Sequence, residues 1–186
     1  DAFNNLSDAG SSFISLVGFK FSGMKADADH PFGHGRIEYV SGFGVSMIII
    51  LMGFELLKTS VGKIFHPEPV EISTLAVGIL IVSICVKAYM FFYNRSVGTK
   101  IQSETMKATA MDSMSDSIAT TAVLVSMGIA YATGVNVDGW CGCLVACFVL
   151  YAGYGAAKDT LNPLLGEAPS KEFVDEIKSI VLAHPE

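Results

Sequence analysis

An all-α membrane protein, folded as a bundle of transmembrane helices, is the fold class this sequence predicts, and three observations carry it. Of the 186 residues, 51% are hydrophobic and only 16% are charged, against about 25% charged in an ordinary soluble domain. Five apolar segments each supply the ~20 residues a bilayer span requires. The connectors between them are short, which suits antiparallel neighbours. The net charge of −6, with no basic, aromatic-interleaved patch, excludes a nucleic-acid partner. The partner this composition asks for is the lipid membrane.

The first segment, 1–21, is polar along one face and closes at Ser22-Gly23. The second, 35–64, carries the continuous run VSMIIILMGFELL and stops before His66-Pro67-Glu68-Pro69. The third, 73–93, gives the cleanest hydropathy signal. The fourth, 103–132, ends at Gly134, and the fifth, 137–157, has Trp140 near its start as an interfacial anchor. Together they define a transmembrane domain over 1–165. Residues 166–186 then form a linker and one amphipathic helix, with Phe173, Val174, Ile177, Ile180 and Val181 at helical spacing after Pro169-Ser170. Its polar face is not rich in lysine, so it reads as the first helix of a cytoplasmic domain rather than as a membrane-surface helix. Because the sequence starts inside one helix and stops just after another, it reads as part of a longer chain. The four cysteines, Cys85, Cys141, Cys143 and Cys147, lie within apolar spans at spacings that do not match structural zinc, and they read as small hydrophobes.

Basic residues set the orientation. Lys20, Lys25 and Arg36 flank the first connector, Arg95, Lys100 and Lys107 the third, and Lys158 follows the last span, against Lys58 and Lys63 at the second. That bias places the first and third connectors and the C-terminus in the cytoplasm of a multi-pass protein. With the third span ending near Tyr93, Lys87 is close enough to the boundary to snorkel.

Two pairs of polar residues break these spans: Asn4/Asp8 in the first and Asp112/Asp116 in the fourth. Spacing of i, i+4 puts both members of each pair on one helix face. Asp8 and Asn4 lie 12 and 16 residues before Lys20, and Asp112 and Asp116 lie 12 and 16 after Lys100. At 1.5 Å per residue both pairs sit ~18 and ~24 Å from their cytoplasmic markers. Set side by side, Asp8 faces Asp112 and Asn4 faces Asp116 near mid-membrane. Intramembrane carboxylates are costly and mark functional sites. With no buried Lys or Arg expected beside them, a bound cation is the favoured neutraliser; the other reading is a structural network of polar groups that cap or glue the helices. Asp1, on the same face, is a vestibule candidate. An all-oxygen set favours hard divalent ions such as Mn²⁺, Mg²⁺ or Ca²⁺, with Fe²⁺ next, over zinc, which usually recruits His or Cys. Empty, the three anions repel one another, so protons compete for the same oxygens. A second cluster, Asp27, His30 and His34, has D-x-x-H-x-x-x-H spacing in the first connector. Two readings stand for it: a peripheral metal site, or histidines hydrogen-bonded to loop backbone.

These residues resemble the cation diffusion facilitator family. The resemblance runs through NNLSDA in the first span, HPFGHGRIEY at the start of the second, ATAMDSMSDS in the fourth and LLGEAPS after the fifth. It implies a six-helix transmembrane fold, of which the five spans are helices two to six, followed by a metallochaperone-like cytoplasmic α+β domain. It implies a homodimeric carrier, not an enzyme, that exports divalent metal against protons by alternating access and needs no prosthetic group. By the same resemblance the transport site falls on Asn4, Asp8, Asp112 and Asp116, and a loop site on Asp27, His30 and His34. Zinc-transporting members typically carry His where Asp112 stands, so D-x-x-x-D looks like the manganese-exporting branch; Zn²⁺, Fe²⁺ and Cd²⁺ are the alternatives. The third connector has no His-rich loop, which suits a bacterial plasma-membrane protein. From other classes, an intramembrane aspartyl protease lacks its Tyr-Asp and Gly-x-Gly-Asp pairings here. A passive channel conflicts with tight divalent binding, and a membrane metal sensor remains as an alternative.

Overall fold

In the structure, a computed structural model, the backbone is described for residues 2–67, 73–166 and 169–183, and the side chains of these except residues 2–6 and 8. Among the described residues it contains six helices and no strand: α1 (Ala2–Ser22), α2 (Arg36–Phe65), α3 (Thr74–Lys100), α4 (Glu104–Thr133), α5 (Asp138–Leu165) and α6 (Lys171–Leu182). Helices α2 to α5 are long and apolar enough to cross a membrane. Helix α1, whose Ser11 and Ser15 are buried, lies against α2 and α4.

Local chemistry fixes the helix ends. The Ser103 hydroxyl accepts the Met106 N–H at 3.2 Å and so caps α4, with Glu104 in the first turn. At the other end Gly134 takes φ 71° and donates its N–H to Ala130 O, a left-handed stop that glycine adopts without a Cβ penalty. Ser170 caps α6 through the Phe173 N–H.

Two helices run past the ends that hydropathy assigns them. Helix α3 continues from Tyr93 to Lys100 because its polar last turns pack on α4. A Cβ on Gly98 would lie 3.2 Å from the Lys107 nitrogen, and the Ser103 N–H bonds the Gly98 carbonyl. Helix α5 continues from Ala157 to Leu165, since Thr160 is fully buried beside Gly42 and Pro163 falls in the last turn. Tertiary packing outweighs the weak helix propensity of these segments.

The core lies where α2, α4 and α5 meet: Val45 and Ile49 from α2, Ala108 from α4, and Val145, Val149 and Ala156 from α5. Helices α2 and α5 approach until backbones touch. A Cβ on Gly139 would stand 2.9 Å from both the Ile64 nitrogen and the Ser60 oxygen, and one on Gly153 would stand 2.9 Å from Ile50 Cγ1. Small residues at such seams let membrane helices gain dispersion contact where no hydrophobic effect drives them together. Helix α3 packs on α4 alone, and α6 packs on no other helix among the described residues. The four cysteines are free.

Candidate metal centre

Helix α4 carries Asp112 and Asp116 into the bundle, 6% and 8% exposed. Their i, i+4 spacing stacks them on one face. Around them the helix is rich in hydroxyls, most of which turn back onto its own carbonyls: Thr109 to Thr105 O, Ser113 to Thr109 O, Thr120 to Asp116 O. Ser115 does not. Its Oγ is buried with no hydrogen-bond partner among the described residues, and the residue lines the same cleft as the two carboxylates.

Helix α1 supplies the facing polar surface. The Ser11 hydroxyl donates to Asp112 Oδ2 at 3.0 Å, and Ser15 Oγ lies 3.0 Å from Thr109 Oγ1. In this antiparallel register the residue of α1 set against Asp112 is Ser11, not Asp8 as the depth count predicts. Continued along α1, the register brings the backbone of Asp8 level with Ser115 and Asp116. The side chains of Asn4 and Asp8 lie outside the described residues, as does Asp1 altogether.

The expectation that no basic group accompanies the buried carboxylates is corrected. Lys87 Nζ lies 2.7 Å from Asp116 Oδ2, with the Lys87 side chain 20% exposed. The reason is the length of α3. With the helix ending at Lys100, Lys87 lies thirteen residues from either end, about 20 Å from the Lys100 end, between the depths counted for the two aspartates. It points inward to a carboxylate rather than outward to the interface.

The carboxylates lie at the inner end of a cleft of about 510 Å³ between α2, α4 and α5, with Leu80 of α3 also in its wall. The cleft is lined from Asp112, Ser115 and Asp116 along to Glu55, Lys63 and Asp138. Its lining lies C-terminal to Ile49 on α2 and to Asp112 on α4, and N-terminal to Val149 on α5. That is the half of the bundle opposite Arg36, Lys100 and Lys158. At the far end Lys63 Nζ pairs with Asp138 Oδ2 at 2.7 Å, and Ser126 donates to Asp138 Oδ1 at 3.0 Å.

The loop between α1 and α2 brings Asp27, His30 and His34 together, with one ligand atom from each inside a 4.8 Å cluster. Asp27 Oδ1 accepts the backbone N–H groups of Asp29 at 3.1 Å and His30 at 2.6 Å, an Asx turn that fixes the carboxylate. Gly33, at φ +81°, reverses the chain between the histidines, whose rings then lie 4.5 Å apart. His30 Nδ1 stands 3.2 Å and His34 Nε2 3.5 Å from the two Asp27 oxygens. The His34 Nδ1 and a Glu38 oxygen are buried without partners among the described residues. The backbone N–H of His30 is the main reason the Asp27 carboxyl is held below its ordinary value of 3.8; burial opposes it, and the imidazoles add to the lowering.

Sequence reasoning missed Ser11, Ser115 and Lys87. Ser11 follows Asp8 by three residues on the polar face of α1, and Lys87 has the same depth arithmetic as the aspartates once α3 reaches Lys100. Ser115 carries no signal among so many hydroxyls.

Apolar helices that gather carboxylates at mid-depth, at the base of a cleft, define a class: integral membrane proteins with a cation-receiving interior. Residues 1–165 match the cation efflux transmembrane domain, and the chain belongs to the cation efflux, or cation diffusion facilitator, family. It is similar to an uncharacterized transporter of Methanocaldococcus jannaschii, at 30% identity over 98% of this chain and 64% of the relative. It is also similar to the cation-efflux pump FieF of Salmonella arizonae and of Salmonella newport, each at 25% identity over 95% of this chain and 60% of the relative. The chain thus spans less than two thirds of the length of these relatives.

Proposed function

We propose that this chain is the transmembrane part of a secondary carrier that exports a divalent cation, Mn²⁺ foremost, from the cytoplasm in exchange for protons by alternating access. One observation carries the reading: two buried carboxylates, a helical turn apart on α4, line the base of a cleft. The cleft leads away from the basic, cytoplasmic ends of the helices, which suits release on the opposite side. The relatives named as cation-efflux pumps support the direction of transport.

Asp8, Asp112 and Asp116, with the neutral Asn4, form the ligand set in this reading. Their oxygens suit a hard ion, and the absence of imidazole from that set favours Mn²⁺ over Zn²⁺. Protons compete for the same oxygens, so entry of the metal and departure of protons become one exchange. Asp27, His30 and His34 form a second, cytoplasmic metal site of mixed nitrogen and oxygen ligands. A cytoplasmic C-terminus, with α6 opening a further domain, and a homodimer complete the assignment.

The test is metal-driven proton flux in vesicles containing the full-length protein, with Mn²⁺ and Zn²⁺ compared. Flux with Mn²⁺ exceeding that with Zn²⁺ is the expected outcome. Flux with Zn²⁺ alone defeats the metal assignment, and flux with neither defeats the carrier.

A further inference from the structure

Lys87 gives the centre a property that its carboxylates alone do not have. We propose that Lys87 is a tethered cation that occupies the transport site until a divalent ion displaces it, and that this exchange rejects monovalent ions. The inference rests on the reading of Asp116 as a metal ligand.

The ammonium holds Asp116 Oδ2 at 2.7 Å. A carboxylate engaged in this way receives a metal at about 2.0–2.6 Å only after the ammonium withdraws, because two cations on one oxygen repel strongly in a low-dielectric interior. Withdrawal costs little packing. Gly98 is the only buried residue of α3, and among the described residues α3 packs on α4 alone of the helices, so the four-carbon stem can swing without opening the core around Val45 and Ile49.

The charge balance then discriminates. A monovalent ion that displaces the ammonium exchanges one unit charge for another and gains nothing, having lost a charge-assisted hydrogen bond. A divalent ion adds a unit of charge beside carboxylates that attract it. Selection for divalent over monovalent cations thus follows from an incumbent of known charge and requires no difference in cavity size. When the metal leaves, the same ammonium returns to Asp116 and prevents an uncompensated buried carboxylate.

A contact that merely pins α3 to α4 predicts different behaviour from a competitor, and transport kinetics separate the two. The wild type, K87Q and K87R are reconstituted as the full chain, and Mn²⁺ uptake is followed with and without a large excess of Na⁺. For K87Q the proposal expects a KM about tenfold lower or more, because a neutral amide no longer competes, with a reduced kcat because nothing replaces the departing metal. Excess Na⁺ inhibits K87Q and leaves the wild type unaffected. K87R keeps the charge and the fold, holds the carboxylate bidentately, and raises KM several-fold. Equal KM values in the three folded proteins overturn the proposal, as does a folded K87Q that is as indifferent to Na⁺ as the wild type. If K87Q does not fold, an unchanged KM in K87R is sufficient to reject it. A wild type without metal-dependent flux strikes instead at the carrier reading itself.

Discussion

The intramembrane carboxylates and the loop cluster differ first in what holds them. Asp112 and Asp116 stand on the buried face of a 30-residue helix, positioned by the packing of α1, α2, α3 and α5 on α4. Asp27 and His30 are exposed, and their arrangement comes from their own turn, from two backbone N–H groups and from the reversal at Gly33. The first centre offers oxygen and carries a lysine counter-ion; the second mixes nitrogen and oxygen. A buried carboxylate needs a counter-charge, a hydrogen-bond donor or a proton at every moment, whereas a solvated one does not. The difference teaches that at the buried centre one charge can leave only as another takes its place, a constraint the solvated loop does not carry. The loop centre can bind without altering the bundle.

The largest effect that would break this contrast is at Asp116. Asp116→Ala removes a proposed ligand and the carboxylate that Lys87 Nζ meets at 2.7 Å. We expect loss of metal-driven flux in vesicles and destabilisation of about 1.5–3 kcal/mol, the scale of one hydrogen bond to a charged group, read as a lower thermal midpoint. Undiminished flux would remove Asp116 from the site. Next comes the chemistry of the ligand set. Asp112→His, with a borderline-soft nitrogen in place of an oxygen, should move preference from Mn²⁺ toward Zn²⁺ by about tenfold or more in competition uptake; an unchanged profile would place selectivity elsewhere.

At the loop, His34→Ala should weaken metal binding there by roughly 10–100-fold while leaving Mn²⁺ flux through the bundle near wild type, with calorimetric stoichiometry falling by one ion. An unchanged stoichiometry would return both histidines to a role in loop structure. The smallest effect concerns pH. Because the Asp27 carboxyl is held below 3.8 when the loop is folded, its contribution to loop order is complete above that value and is lost as pH falls through the lower, folded value. Hydrogen exchange of the Asp29 and His30 amides should therefore remain protected at pH 5 and loosen only in stronger acid. Asp27→Asn should abolish that dependence. Loss of protection already near neutral pH would contradict the turn.

The helical elements were legible because hydropathy reports lipid-facing surface directly, and the two carboxylates of α4 because charge in an apolar run is conspicuous. The loop trio was legible because its turn is local, fixed by Asp27 and Gly33 within a few residues. Lys87 was not, since a helix end judged from hydropathy falls where the residues become polar, at Asn94, while the helix itself continues on the packing of Gly98 against Met106 and Lys107. That error placed a mid-membrane charge at the interface. The Ser11–Asp112 contact was illegible for a related reason: antiparallel depth counting fixes levels to about one turn, and the last turn is decided by which hydroxyl meets which acceptor. Ser115 could be found only by seeing that, unlike its neighbours, it does not bond back to its own helix.

The seam between α2 and α5 has a mechanical meaning. At Gly139 the α5 backbone rests against the Ile64 nitrogen and the Ser60 oxygen, and at Gly153 it rests against the Ile49 and Ile50 side chains, so sliding or rolling there would force close-packed atoms into one another. The two helices therefore act as a single stiff beam. The interface of α1 with α4 is built differently, from hydroxyls such as Ser11, Ser15 and Thr109, whose bonds can be exchanged for others of the same kind one residue along at little cost. Rigid keel and slippery rail are thus written into one bundle, and its compliance falls to the side that carries the carboxylates.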